Sequence, residues 1–305
     1  MKLLRATFLG VRGLPDLTSD FSVGGTNTAR DLVLITGPAS SGKTRMLETL
    51  ITAKEIIAPY GPPIAAEPWI RQGAHAAKVS LSFTLDQDEA RRAGGAAPVA
   101  TGEAIFGPTA CRYEVDDGVM AVLERYEHDP RYGKIDYYAA NRSLPAPGPV
   151  HGLTSFEQRL YRTTRDMRKY AFVPRFLLEL AADAGAQARF VKALATLRPD
   201  LRYVGPSGTD ALQCFSSRGG PATSLYELST TESEAVILAA SAALLHYDKS
   251  ILFIDRPEQS ADERGIVAWI DAVRGLASDL QVICATSSPA LIASVDPGAI
   301  VSLGT

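Results

Sequence analysis

The chain has 305 residues, of which 46% are hydrophobic, with a formal net charge of -3. This is material for one large or two small domains with a sizeable core, and the charge balance gives the whole molecule no basic bias towards nucleic acid. Cys111, Cys214 and Cys284, far apart, and four scattered histidines make neither a disulfide framework nor a metal-ligand spacing, as expected of a cytoplasmic protein.

No apolar run approaches the roughly 18 residues of a membrane helix, and Met1 to Gly10 lacks the long apolar region and small-residue cleavage site of a signal peptide. Lys2 to Leu9 reads as a first strand, Leu17 to Val23 as a second and Asp31 to Thr36 as a third, with a turn at Gly24-Gly25. The unbroken apolar run Leu32 to Ile35 predicts that the third strand is buried on both faces.

A loop follows that fits G-x-x-x-x-G-K-S/T through Gly37, Gly42, Lys43 and Thr44, and then Met46, Leu47, Leu50 and Ile51 recur at helical spacing. Strand, glycine loop and helix in that order weigh against a chance turn. Small residues let successive backbone N–H groups turn inward around a phosphate, and the following helix points its positive end at the same place. The candidate nucleotide-binding residues are therefore Gly37, Pro38, Ala39, Ser40, Ser41, Gly42, Lys43 and Thr44. Lys43 would bridge the β- and γ-phosphates, and the hydroxyl of Thr44 would ligate Mg²⁺, which prefers oxygen. This helix is expected to end near Ala58-Pro59, before Gly61-Pro62-Pro63.

Lys78 to Leu85 alternates apolar and polar and predicts a strand with one wet face. Ala93 to Pro98 reads as a small-residue loop, Ala110 to Val115 and Val119 to Tyr126 as short elements, and Ser143 to Gly152, with three prolines, as a linker or surface crossing. Residues 155–200 read as a helical block with Phe172, Phe176, Leu177, Leu180 and Ala181 on one face. Ala184-Gly185 breaks it, Phe190, Val191, Leu194 and Leu197 continue it, and Pro199 stops it. Arg159, Arg162, Arg165, Arg168, Lys169 and Arg175 recur near a spacing of three. They are either a solvated helix face or a contact for a phosphate backbone or an acidic partner.

In the last third, Leu228-Ser229-Thr230-Thr231-Glu232 precedes a helix ending at Leu245, and Ser229 with Glu232 forms a capping box that needs no ligand. Ser250 to Asp255 is a buried strand closed by a carboxylate. That carboxylate suits a magnesium site beside Thr44, and the plain alternative is an aspartate capping a turn. Ser260 with Glu263 reads as a second capping box, opening a helix with Ile266, Trp269, Ile270 and Val273 inward, and Gln281 to Thr286 as another buried strand.

Phosphate loop upstream, capped helix, then the aspartate strand: this order resembles the ATP-binding cassette superfamily of P-loop ATPases, whose signature reads L-S-x-G-E. Met1 to Phe21, with Arg12-Gly13 where many members carry F-R-G, is similar to the opening strand pair of RecF-like, OLD-like and SMC-type heads. Ile70-Arg71-Gln72-Gly73 and Ala77 to Phe83 resemble their "I-R-x-G … A-x-V-x-L-x-F" stretch. Asp255-Arg256-Pro257-Glu258 stands where they write D-E-P-E, Asp262 at the D-loop position, and Ala285 to Pro289 where they write T-T-H-S-P. Residues 90–170 match nothing in the group, and Gln72 and Gln87 are the candidates for its glutamine loop.

The resemblance implies Mg²⁺-ATP held through Lys43, Thr44 and Asp255 and sandwiched between two subunits, with Ser229 of one facing Lys43 of the other. Arg256 replaces the catalytic glutamate, and a guanidinium stays protonated and cannot polarise water. Thr231 replaces the signature glycine, and Ser287 the switch histidine. Asp255, Glu258 and Ser287 remain as candidate catalytic residues, and the metal would lie on Thr44 and Asp255.

The expected fold is α/β: a P-loop NTPase with a mostly parallel central sheet, an N-terminal antiparallel meander and an inserted helical lobe. The expected division is 1–90 and 221–305 for the ATPase head and 91–220 for the insertion. The expected function is a nucleotide-dependent assembly switch with slow or partner-dependent hydrolysis, in DNA maintenance or antiphage defence, or else an inert ATP-binding scaffold. A homodimer or hetero-oligomer with a protein partner, nucleic acid through the basic block and no membrane complete the expectations.

Overall fold

The computed structural model describes residues 1–95, 97–116, 118–206 and 212–304. Among them the chain forms thirteen strands and nine α-helices. Strands β1 (Lys2–Leu9), β2 (Leu17–Asp20) and β3 (Leu32–Thr36) lead into α1 (Lys43–Ile57). Next come β4 (Ala77–Thr84), α2 (Gln87–Arg92), β5 (Val99–Phe106), β6 (Cys111–Val115), α3 (Val119–Leu123) and β7 (Ile135–Tyr138). The middle continues with α4 (Ser155–Tyr161), α5 (Phe172–Glu179), α6 (Ala184–Leu197) and the short strands β8 (Leu201–Tyr203), β9 (Gln213–Ser217) and β10 (Ala222–Ser224). The chain closes with α7 (Thr230–Leu245), β11 (Ile251–Asp255), α8 (Ile266–Arg274), β12 (Gln281–Ala285), α9 (Pro289–Ala293) and β13 (Ile300–Ser302).

The central sheet runs β13-β3-β12-β11-β7, and every pairing in it is parallel. Its strands read as apolar runs because both faces are covered. Val33, Ile35, Tyr137, Ile251, Phe253 and Ile283 face one core together with α1. Leu34, Tyr138, Leu252, Ile254, Val282 and Cys284 face a second core with α5, α6, α7 and α8. An antiparallel sheet, β2-β1-β4-β5-β6, closes over the other side of α1, so Leu47, Leu50, Ile51 and Ile57 are packed between two sheets. The alternation of β4 fits this, with Ala77, Val79, Leu81 and Phe83 buried. Helix α7 is apolar all round because it lies inside the second core, where Ala235 to Ala240 are all buried.

The structure departs from the sequence expectations in four places. No strand was expected at Val99–Phe106 or Ile135–Tyr138, yet β5 and β6 extend the antiparallel sheet and β7 is the edge of the parallel one. The part that stands beside the sheets therefore begins only after β7, and it includes the small sheet β10-β9-β8 as well as helices. In the helical block, Ala181 and Val191 point to solvent, not to the core. Ser260 and Glu263 form no capping box: Ser260 is buried and donates to Glu234, and Glu263 accepts from Ser288 Oγ and Ala290 N. The turn before α8 is capped by Asp262, which accepts from the Gly265 N–H at 2.8 Å. On its described residues 93–98 is a turn, residue 96 lying outside them.

Candidate functional site

In a parallel sheet the loops at the carboxyl ends of the strands converge on one edge, where ligands bind in folds of this kind. Here β3 delivers Gly37 to Gly42, β11 delivers Asp255 and Arg256, and β12 delivers Ser287. These loops border a cleft of about 600 Å³ lined by Ala39 to Arg45, Asp255, Arg256, Glu258, Gln259, Ala285 and Ser287.

The glycine loop is built around close approaches. Gly37 has φ 145, and a Cβ there would collide with the Leu303 carbonyl and the Ser41 hydroxyl. Gly42 has φ 98, and its Cβ would stand 2.7 Å from the Gly13 carbonyl oxygen. The Arg12-Gly13 segment is thus a wall of the loop. Arg45 clasps it through Nε to the Arg12 carbonyl at 3.0 Å, and Arg71 braces it through Nη2 to the Leu14 carbonyl and Asp16, at 2.6 and 2.8 Å. That brace is a local reason for the Ile70-Arg71 stretch, whose Ile70 also bridges Val11.

The side chains of the loop meet the donor chemistry a phosphate and a hard cation require. Lys43 Nζ is parked on the carbonyls of Gly37 and Pro38, each at 2.8 Å, from which a bound anion could draw it. Ser40 has φ 63, and Ser41 Oγ is buried with no hydrogen-bond partner among the described residues. Thr44 Oγ1 donates to Asp255 at 2.9 and 3.1 Å, so two oxygen ligands of the kind Mg²⁺ takes are already side by side. Burial raises the Asp255 carboxyl above its ordinary pKa, partly offset by the Thr44 bond and nearby arginines. The steric cradle at Gly37 and Gly42, the orphaned Ser41 hydroxyl and the Thr44–Asp255 pair all fit a magnesium-bound phosphate.

The remaining candidates divide. Glu258 lines the cleft but accepts from Thr286 Oγ1 at 2.9 Å and the Ser287 N–H at 3.3 Å, so its carboxylate braces the β12 loop. Ser287 is exposed in the same cleft. Ser229 caps α7, donating to Glu232 at 2.6 Å, and is not among the residues that line the cleft. Glu232 also accepts from Ser217 Oγ at 2.7 Å, which ties this helix start to β9. Gln87 opens α2 and Gln72 lines a separate cavity with Arg12, Glu67 and His75, so neither glutamine-loop candidate lines the cleft.

The basic block is divided: Arg165, Arg168 and Arg175 are exposed, whereas Arg162 and Lys169 are buried. Arg162 is buried against Asp136 at 3.4 Å, and Lys169 is buried on the Tyr137 and Thr164 carbonyls. Arg165 pairs with Glu48, Arg168 with Asp166 and Arg175 with Glu179, and Arg159 donates to the Pro59 carbonyl. The chain also breaks between α4 and α5 into a short 3-10 turn at Met167–Tyr170, so the spacing of three never becomes one helix face. A phosphate-backbone contact through Arg159, Arg162, Arg165, Arg168 and Lys169 together is not what this arrangement offers.

Sequence reasoning missed Arg142. Its side chain is fully buried: Nε binds Glu234 at 3.0 Å, Nη1 the Asp255 carbonyl at 2.9 Å, and Nη2 the Arg256 carbonyl at 2.9 Å and Ser260 Oγ at 2.8 Å. It thereby joins the helix begun by Ser229 to the turn that carries Asp255. A lone arginine beside a proline-rich linker carries no sequence signal for this role, since apart from the nearby Ala139 carbonyl its partners are distant in the chain.

No family model matches the chain, and no curated protein matches it. Solved structures do. A crystal structure of an SMC head bound to the C-winged helix domain of ScpA aligns with TM-score 0.65 and 12% identity, covering 99% of this chain and 94% of that one. The SMC head domain from Thermotoga maritima aligns with TM-score 0.56 and 15% identity, covering 99% and 94%. The SMC head of Pyrococcus furiosus, with an extended coiled coil and bound to the C-terminal domain of ScpA, aligns with TM-score 0.60 and 11% identity, covering 98% and 92%. Similarity at such low identity is a statement about fold: this chain has the fold of the SMC head domains with which it aligns. Among the described residues no helix is long and apolar enough to cross a membrane.

Proposed function

We propose that this chain, which has the fold of an SMC-type ATPase head, binds Mg²⁺-ATP through Gly37 to Thr44 and Asp255 and uses it as a switch for assembly. The observation that carries the reading is the convergence of the Gly37–Gly42 cradle, Lys43 and the hydrogen-bonded Thr44–Asp255 pair on one cleft. Mg²⁺ would neutralise phosphate charge between Thr44 and Asp255. Lys43 would leave the Gly37 and Pro38 carbonyls for the β- and γ-phosphates, and the α1 N-terminus would favour their charge.

Ser229 lies outside the cleft of its own chain, which supports a sandwich in which Ser229 of one copy, or of a related head, faces the nucleotide on Lys43 of another. Hydrolysis would be slow or dependent on a partner, because Arg256 follows Asp255 and Glu258 is engaged with Thr286 and Ser287. Losing a group that positions water or stabilises the transition state commonly costs about a hundredfold or more. Two of the similar SMC heads are bound to parts of ScpA, so a protein partner of that kind belongs to the reading, as does a cytoplasmic role in DNA maintenance or antiphage defence.

Particle mass by size exclusion with light scattering, with and without Mg²⁺-ATP and with phosphate release followed on the same samples, tests the switch. A mass increase with ATP that Lys43→Ala abolishes is expected; a wild-type mass indifferent to ATP argues against the switch for the chain alone. The second reading, an inert ATP-binding scaffold, is favoured by the occupied carboxylate of Glu258. Turnover near zero that Asp255→Ala leaves unchanged would select it.

A further inference from the structure

We propose that Arg256 is itself a ligand for the terminal phosphate, making the cleft selective for a nucleoside triphosphate over a diphosphate. This deepens the nucleotide reading above and rests on it. Three observations carry it. First, Arg256 is exposed and lines the same cleft as Lys43, Thr44 and Asp255, and among the described residues its guanidinium makes no hydrogen bond and no ion pair. The carboxylates beside it are engaged elsewhere, Asp255 by Thr44 and Glu258 by Thr286 and the Ser287 N–H. A five-donor cation is left facing an open cleft whose other cations are held by the protein, Lys43 on the glycine-loop carbonyls and Arg45 on the Arg12 and Pro68 carbonyls.

Second, the backbone aims it. Arg256 has φ 53, a left-handed conformation uncommon for a residue with a Cβ. Arg142 holds it there by donating to the carbonyls of Asp255 and Arg256, and the Arg256 N–H is fixed on the Ala285 carbonyl at 2.9 Å. Third, none of those contacts uses the Arg256 side chain, and glycine would adopt the same backbone without strain. The fold therefore gives a reason for the turn and none for the guanidinium. A side chain held in a rare conformation at a cleft and lacking a protein partner is the pattern of a group kept for a ligand. A planar fork matches a phosphate with parallel hydrogen bonds. The group that cannot activate water can grip the phosphate that water would attack, an arrangement that would favour binding over turnover.

The test is calorimetric titration of the full chain with ATP and with ADP, each with Mg²⁺ and with EDTA. Wild type should bind ATP more tightly than ADP. Arg256→Ala and Arg256→Gln should lose about ten- to hundredfold in ATP affinity with ADP affinity nearly unchanged, and Arg256→Lys should recover part of the loss. Arg256→Gly should bind like Arg256→Ala while melting no lower than wild type, which separates ligand binding from folding. An ATP-to-ADP ratio that Arg256→Ala leaves intact, whether both affinities hold or both fall together, overturns the assignment while leaving a nucleotide site in place. Wild type that binds neither nucleotide, or Lys43→Ala that binds ATP as wild type does, overturns the nucleotide reading and this inference with it.

Discussion

The cleft edge of the parallel sheet and the basic block of residues 155–175 are both rich in charge, and they use it in opposite ways. In the block each cation has a protein partner: Asp136 for Arg162, carbonyl oxygens for Lys169, and Glu48, Asp166 and Glu179 for Arg165, Arg168 and Arg175. At the cleft, among the described residues, Lys43 rests on two loop carbonyls, the Arg256 guanidinium makes no hydrogen bond or ion pair, and Ser41 Oγ is buried without a partner. Charge spaced along a sequence does not identify a binding surface, and a single unmade hydrogen bond does not either, since Arg159 Nε and Arg162 Nε of the block are also buried without a partner among the described residues. What distinguishes the cleft is that an exposed guanidinium, a lysine held only by loop carbonyls and an orphaned hydroxyl converge on one opening, where a ligand can offset the cost of orienting them.

The largest effect that can break this contrast lies in the block. Arg162→Ala would leave Asp136 buried with Tyr247 and without its cation, and removing one partner of such a pair costs about 3–5 kcal/mol. Urea denaturation should show a large fall in midpoint with an unchanged slope. Arg168→Ala, which breaks an exposed pair with Asp166, should leave the midpoint where it was. Equal and small effects would mean that Arg162 is available at the surface after all, and the nucleic-acid reading of the block would return.

The next effect belongs to the cleft. Lys43→Ala should weaken ATP binding about ten- to hundredfold, the scale of a charge-assisted hydrogen bond, while barely changing the urea midpoint. Equilibrium titration with ATP beside the denaturation curve reads both quantities. A loss of stability comparable to that of Arg162→Ala would put Lys43 among the structural charges and erase the distinction between the two regions.

Lys169 sharpens the contrast through pH. Burial pulls its ammonium down to about 8 from the ordinary 10.5. Between those values the unfolded chain holds a proton the folded chain has released, so this residue makes stability rise with pH across the window; below about 8 its penalty is constant. Lys169→Met should flatten the stability profile there, by at most about 1.4 kcal/mol per pH unit. Lys54 and Lys134, also drawn down to about 8 by burial, would supply the slope that remains. An unchanged profile in Lys169→Met would mean that its amine is solvated.

These contrasts also mark what could be read from the sequence alone. The strand, glycine loop and helix at Leu32 to Ile57, the capped start of α7 and the strands ending at Asp255 and Ala285 are local patterns, and they place the cleft residues directly. β7 is hidden because Asp136 interrupts its apolar run, and that carboxylate, besides accepting from the adjacent Tyr137 N–H, is balanced by Arg162 and Tyr247, which are far away in the chain. β5 is hidden because Ala100, Gly102 and Ala104 are small, as they must be where Gly102 packs against Ile57 of α1. Ser260 and Glu263 have the spacing of a capping box, but Arg142, Glu234 and Ser288 compete for them. In each case a tertiary partner outbids a pattern that is sound on local grounds.

The smallest predicted effect is opposite in sign to the others, and it asks whether the cleft is organised for stability or for a ligand. The folded-state pKa of Asp255 is raised, chiefly by burial. A carboxyl whose folded value lies above its unfolded value holds its proton longer in the folded chain, so its contribution to stability falls as pH rises through that window and stays diminished above it. At neutral pH the charged Asp255 is therefore a net burden on the fold, despite the Thr44 hydrogen bond. Asp255→Asn keeps an oxygen to accept from Thr44 and removes the charge, so the variant should melt slightly higher than wild type at pH 7 and converge with it as the pH falls. The same variant should lose the Mg²⁺-dependent part of ATP affinity, since an amide is a poor ligand for that ion. Stability gained where function is lost is the behaviour of a binding site. A variant that melts lower at pH 7 would instead mean that the carboxylate is a structural partner of Thr44, like Asp136 beneath Arg162, and the two regions would then be built on one plan.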